Sequence, residues 1–268
     1  MQVKTVPTNQ SSTLSYRIVG QGMPIVLLHG FPVSGALWSR VWGGLAENYT
    51  VIVPDFPGVG GSDVMPDLSM KKMADAVKQV LDNEGITAAV VAGHSMGGYV
   101  AMELVNTYPN VIKGLAMVHS VASADTDEKK EQRRKAIALI EKGGKDAFVK
   151  QMIPTLFSEE TIVKQPDLIE TQLKEALKTP AESLVAFYNA MINRENRVKL
   201  LQEAAFPVLW IAGASDNLIP KEKIMQQTIL SSVNFVEVYG NCGHMAMLEE
   251  PDRLIMDMTD FLKYCFAE

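Results

Sequence analysis

The spacing of hydrophobic and polar positions changes several times along the chain, and the changes mark its elements. Residues 24–29 hold the unbroken run Ile25-Val26-Leu27-Leu28, the pattern of a strand buried on both faces of a parallel sheet. Residues 13–19 read as an earlier strand, closed by Gly20-Gln21-Gly22, and short apolar runs recur at 50–54, 89–93, 114–119, 207–212 and 235–239. Between them the apolar residues fall three and four apart. Trp38, Trp42 and Leu45 predict a helix over 36–47, and Met73, Val77, Val80 and Leu81 share one face of a helix over 70–84. Helices are also expected from Tyr99 to Tyr108, over 221–230 and over 251–266. In the last, Pro251 suits the first helical position, and Glu249 and Glu250 lie at the positive end of the helix dipole. Strands alternating with helices imply an α/β fold whose mostly parallel sheet is covered on both faces.

That alternation stops after Ser120 and resumes at Pro207. The intervening stretch shows only helical patterns, at 128–142, 147–157, 168–177 and 183–192. The chain therefore divides into an α/β core, 1–121 and 205–268, and a helical insertion, 122–204. A separate helical domain or an interaction surface is the competing reading of the insertion.

Length and composition narrow the classes of function. The 268 residues suffice for one large α/β domain with an insertion. With 47% hydrophobic and 21% charged residues, disorder is not expected. A formal net charge of −6 without a long basic run argues against a nucleic-acid partner. The two cysteines, Cys242 and Cys265, have neither metal-ligand spacing nor the number for a disulfide framework, so a reduced, cytoplasmic compartment is the expectation. The first ten residues lack the apolar core of a signal peptide. No apolar run approaches the roughly 20 residues that span a bilayer, so no membrane partner is expected.

Candidate chemistry centres on Gly93-His94-Ser95-Met96-Gly97. This is G-x-S-x-G between a strand and a helix, the context in which the motif lifts a serine hydroxyl above a sheet on a strained turn. Taken alone, the two glycines and the serine would equally suit a tight loop and a helix cap. The chemistry requires an acid after a later strand and a histidine after the next. Asp216, in the turn Gly213-Ala214-Ser215-Asp216, and His244, in Gly240-Asn241-Cys242-Gly243-His244, fall in those places. Each has an ordinary alternative, an Asx turn for Asp216 and a solvated loop histidine for His244. Their order after Ser95 is nucleophile, acid, base. In that arrangement neutral His244 takes the Ser95 proton, and Asp216 fixes the tautomer and stabilises the imidazolium. Glu249 and Glu250 follow His244 too closely to serve as the acid, and Asp125 is a weaker rival. The backbone amides of Met96 and Phe31, the latter in His29-Gly30-Phe31 after the buried strand, are the expected oxyanion donors.

These segments, with Asp55-Phe56-Pro57-Gly58-Val59-Gly60-Gly61-Ser62-Asp63, make the chain resemble the α/β-hydrolase superfamily, in its serine-nucleophile, capped branch. The resemblance implies an eight-stranded sheet, a helical cap inserted after strand 6, a structural role for the loop 55–63, and no cofactor or metal. Dehalogenases and epoxide hydrolases of the superfamily carry Asp where this chain has Ser95. Carbon–carbon bond hydrolases usually place tryptophan after the histidine, where Met245 stands here. Perhydrolase-like members often have tryptophan in place of Phe31. Enol-lactonases often carry a cap tryptophan, whereas Trp38, Trp42 and Trp210 all lie outside the insertion. The expected function is a carboxylesterase acting through an acyl-enzyme on small or medium apolar esters. A lactonase or enol-lactonase and a carbon–carbon bond hydrolase remain as alternatives, and a ligand receptor on the same fold is the non-enzymatic one. Phe31, His119, Phe148, Met152, Phe157, Phe187 and Met191 are the expected pocket lining, with core packing the competing role for each. The expected partner is a small ester or lactone, and the expected state is a monomer or homodimer.

Overall fold

A computed structural model describes residues 1–8, 12–65 and 67–267. Eight strands form one sheet in the order β1-β2-β4-β3-β5-β6-β7-β8. They are β1 (Gln2–Pro7), β2 (Thr13–Val19), β3 (Pro24–Leu28), β4 (Thr50–Pro54), β5 (Ala89–His94), β6 (Ile112–Val118), β7 (Val208–Gly213) and β8 (Asn234–Tyr239). The β1–β2 and β2–β4 pairs are antiparallel, and the other five are parallel. The continuous apolar runs become the central strands: every residue of β5 and β7 is buried.

The chain runs from β3 to β4 on one side of the sheet and then crosses to β5 on the other, so the strand order reverses between β3 and β5. Such a reversal opens a crevice at the carboxyl ends of the strands, where ligands of open α/β sheets bind. Leu28 pairs with Gly93 at the last rung of β3 and β5, which brings His29-Gly30-Phe31 beside Ser95.

Two expectations about elements require correction. The predicted helix 36–47 is instead a 3-10 turn, Gly35–Trp38, and a four-residue helix, Trp42–Leu45. Gly43 and Gly44 disfavour a continuous helix, and a Cβ on Gly44 would lie 2.8 Å from Ile255 Cδ1. The first strand, β1, precedes the strand expected at 13–19 and carries no legible alternation, because only Val6 of its six residues is buried. The last helix occupies Pro251–Phe266, as expected, whereas the helix expected over 221–230 ends at Met225.

Between β6 and β7 the described residues hold helices and no strand. The longest are Asp127–Leu139, Lys145–Met152, Pro166–Leu177 and Ala181–Ile192. Hydrogen bonds tie this segment to the sheet layer. Thr179 Oγ1 donates to the Pro32 carbonyl (2.6 Å), Ser183 Oγ to the Gly58 carbonyl (2.7 Å), and Arg197 grips Glu103 with two N–H groups at 3.0 and 3.1 Å. Among the described residues no helix is long and apolar enough to cross a membrane.

Candidate active site

Ser95 stands between β5 and the helix Met96–Thr107 at φ 51°, ψ −115°, a conformation costly for a residue with a Cβ. Its surroundings explain how the turn closes. A Cβ on Gly93 would lie 2.5 Å from the Gly97 carbonyl carbon, and one on Gly97 would lie 2.4 Å from the Leu28 carbonyl oxygen. The Ser95 amide donates to the Val118 carbonyl (3.0 Å), and Ser120 Oγ donates to the Ser95 carbonyl (2.8 Å). The strained residue is thus held by β6 and the segment just after it.

Asp216 and His244 meet. His244 Nδ1 donates to Asp216 Oδ2 at 2.7 Å, and both side chains are buried. The other carboxylate oxygen, Oδ1, accepts the amides of Leu218 (2.8 Å) and Ile219 (2.9 Å). The Asx turn and the partner to histidine, alternatives in the sequence, are one structure. Burial pushes the Asp216 pKa upward, but His244, His119 and these bonds hold it far below the usual carboxylate range. Because the Nδ1 proton is committed to Asp216, the second ring nitrogen of His244, Nε2, is the free one. It is buried without a hydrogen-bond partner among the described residues, so its link to Ser95 Oγ is not formed here. Such links often form only when substrate is bound. Next to Ser95, His94 Nε2 donates to the His244 carbonyl (2.8 Å), and the two rings lie 4.9 Å apart.

The rival acids have other partners. Asp125 is paired with Arg133 (2.6 Å) and Arg194 (3.0 Å). Glu249 sits under the histidine loop. Its Oε1 accepts the amides of Gly243 (3.0 Å) and Met245 (3.2 Å), and its Oε2 accepts the Ser158 amide (2.9 Å) and the Thr161 hydroxyl (2.8 Å). Nothing in the sequence pattern pointed to this clamp, since a glutamate before a helix already has a role at the dipole.

Beside Ser95, His29 accepts the Phe56 amide at Nε2 (2.9 Å) and donates from Nδ1 to the Gly30 carbonyl (3.0 Å). Burial lowers its pKa to about 4, so it is a neutral structural imidazole. A Cβ on Gly30 would lie 2.5 Å from His94 Nδ1, which lets the Phe31 backbone come close to the serine turn. In the loop 55–63, Asp55 is taken up by Arg17, the Gly35 amide and the Gly61 amide.

A cavity of about 670 Å³ opens over Ser95. Of the expected lining, Phe31, Phe148, Met152 and Met191 are on its wall. His119, Phe157 and Phe187 are not among the residues on it, and the expectation is corrected for those three. His119 lies behind the site, with Nδ1 3.2 Å from the same Asp216 oxygen that holds His244. Phe157 is buried against the histidine loop, its carbonyl carbon 2.7 Å from where a Gly243 Cβ would be. Phe187 is buried edge-on to Phe31 at 6.3 Å. Its neighbour Tyr188 takes the cavity position instead, tilted against Phe31 with ring centroids 4.5 Å apart. On the helix Ala181–Ile192, Tyr188 and Met191 are three apart and share the cavity face. A one-residue difference on a nearly all-apolar helix is not legible from periodicity.

His119, Asp216 and His244 also bring three potential metal ligands within 4.8 Å of one another. The Asp216 oxygen they converge on is already shared by two imidazole N–H groups, so the donor set reads as a hydrogen-bonded relay.

Sheet order, serine turn, carboxylate and histidine agree with the α/β-hydrolase fold. The chain belongs to the alpha/beta hydrolase fold family, whose pattern matches residues 23–251. A thermophilic esterase from Thermogutta terrifontis, solved with malate bound, superposes with a TM-score of 0.94 over 100% of both chains at 29% identity. The 3-oxoadipate enol-lactonase 1 of Acinetobacter baylyi is 27% identical over 262 residues, 96% of each chain. The pimeloyl-[acyl-carrier protein] methyl ester esterase of Pseudoalteromonas atlantica is 26% identical over 263 residues, 93% of this chain and 98% of the other.

Proposed function

We propose that this protein is a serine hydrolase that cleaves carboxylic esters of small or medium size through an acyl-enzyme. The observation that carries this reading is a histidine bonded through Nδ1 to a buried carboxylate at 2.7 Å, its Nε2 unpartnered among the described residues, together with a serine held at φ 51° on a cavity. Ser95 Oγ attacks the ester carbonyl as His244 Nε2 takes its proton. The tetrahedral oxyanion is bound by the amides of Phe31 and Met96. Collapse expels the alkoxide, which receives the proton from His244. Water, deprotonated by the same nitrogen, then attacks the acyl carbon, and the Ser95 oxygen leaves with that proton as the acid is released. Phe31, Phe148, Met152 and Met191 form the acyl wall, and residues 122–204 act as a cap that sets its shape. Lactones present the same carbonyl, and the full-length likeness to an enol-lactonase supports them as close variants.

Hydrolysis of p-nitrophenyl butyrate by wild type, Ser95→Ala and His244→Ala tests this. Both variants should lose activity to the same extent, about 10⁴-fold or more, because members of a triad act as a unit. Wild-type turnover no faster than that of Ser95→Ala would favour a ligand-binding role on the same fold.

A further inference from the structure

The cavity wall carries a charge that the net charge of the chain conceals. Four cations line it, Lys129, Arg133, Arg194 and Lys223, against a single anion, Asp125. In a protein of formal net charge −6, this is a local excess of three positive charges facing a partly apolar space. Asp125 answers two of them only in part. Its carboxylate is shared between Arg133 Nε (2.6 Å) and an Arg194 terminal nitrogen (3.0 Å); the Arg194 terminal nitrogens also donate to the Met191 and Ser123 carbonyls (3.0 Å each), while Arg194 Nε is buried without a hydrogen-bond partner among the described residues. The Lys129 amide donates to Thr126 Oγ1 (3.3 Å), while its ammonium makes no hydrogen bond or ion pair among the described residues. Burial lowers its pKa, and Arg133, Lys223 and Arg194 add to the lowering.

The cations are positioned from both layers. The Arg194 guanidinium lies 3.8 Å over the ring of Tyr99, which follows Ser95 by four residues, or roughly 6 Å of helix. Arg133 lies 5.5 Å from the ring of Tyr188, which packs at a tilt against Phe31. Arg133 and Arg194 therefore border the aromatic wall of the acyl site. A wholly neutral apolar ester would leave the Lys129 ammonium and the buried Arg194 Nε without an anionic partner.

We propose that the physiological substrate is an ester or lactone carrying a second, anionic group, most simply a carboxylate, bound at Lys129, Arg133 and Arg194. This rests on the reading of Ser95 as nucleophile and replaces the expectation of a purely apolar substrate. The reacting ester lies against Phe31 and Ser95, and the carboxylate reaches toward the insertion.

The test compares monomethyl glutarate, an anion at pH 7.5, with neutral dimethyl glutarate on the full chain. The half ester should be preferred at least tenfold in kcat/KM, with the difference mainly in KM. Lys129→Glu should lower that ratio by tenfold or more, and Lys129→Met by an intermediate amount. Glutarate itself, which needs no turnover, should bind wild type and Ser95→Ala alike in calorimetry and bind Lys129→Glu more weakly. Equal or better hydrolysis of the diester, with activity that disappears in Ser95→Ala, would overturn the anion site and leave the esterase reading intact. Glutarate binding without Ser95-dependent hydrolysis would overturn the esterase reading and support the anion site. Absence of both would overturn both.

Discussion

Asp216 is asked to hold more than one partner. Its Oδ2 receives N–H groups from His244 at 2.7 Å and His119 at 3.2 Å, and its Oδ1 receives two amides. An amide in its place keeps the shape but presents an N–H to one of those donors. Asp216→Asn should therefore lower kcat by about 10³–10⁴-fold with little change in fold, as steady-state ester hydrolysis and circular dichroism would show. A near-normal rate would return Asp125 to consideration. The serine turn makes a second residue-scale demand. Gly97→Ala sets a Cβ 2.4 Å from the Leu28 carbonyl oxygen, a backbone atom that cannot move aside alone, whereas a Cβ on Gly43 meets nothing within 4 Å. Gly97→Ala should cost about 3 kcal/mol or more in urea denaturation, with Gly43→Ala well below that. At this scale the turn at Ser95 and the meeting of Asp216 with His244 were legible, because each follows a strand in a fixed order. His119 was not: its side-chain direction depends on its own backbone at φ 48°, which no pattern along the chain announces.

Among the elements, the loop before the last helix depends on Glu249. One carboxylate gathers two amides of the histidine loop and two donors of the helix start at Ser158, while the His244 amide itself donates to the Leu156 carbonyl (2.7 Å). The loop is thereby joined to the insertion as well as to β8. Glu249→Ala should lower stability by about 2–4 kcal/mol in chemical denaturation, since it strips a charged acceptor from several part-buried donors. It should also reduce ester hydrolysis below the denaturation midpoint. An unchanged midpoint would mean the loop holds its shape without the clamp. The central strands were legible as apolar runs because burial on both faces removes alternation. The exposed edge strand β1 and the broken helix near Trp38 were not, because tertiary packing and a Gly-Gly pair decide them.

Across the whole molecule, buried imidazoles set an acid limit. His29, His94 and His119 are all buried, and burial lowers the pKa of each, that of His29 to about 4. In the unfolded chain a histidine protonates near pH 6.5, so between there and about pH 4 only the unfolded state takes the proton that folded His29 refuses. Stability should be complete above about pH 7 and should fall as pH drops, with His29 alone contributing a loss of about 3 kcal/mol by pH 4. Urea midpoints measured from pH 7.5 to 4.5 check this, and a flat profile would contradict it. The division into sheet core and helical insertion was legible from where alternation stops. The cations that gather over the cavity were not, because Lys129, Arg133, Arg194 and Lys223 are scattered through ordinary polar faces until the insertion folds over Ser95.

The central claim is that Ser95 becomes acylated. Treating the protein with a fluorophosphonate and mapping the adduct by mass spectrometry tests it most directly. One equivalent should attach to Ser95, with loss of ester hydrolysis in step with labelling, and none should attach in Ser95→Ala. Full hydrolytic activity with Ser95 unlabelled, or stoichiometric labelling at another residue, would contradict the account.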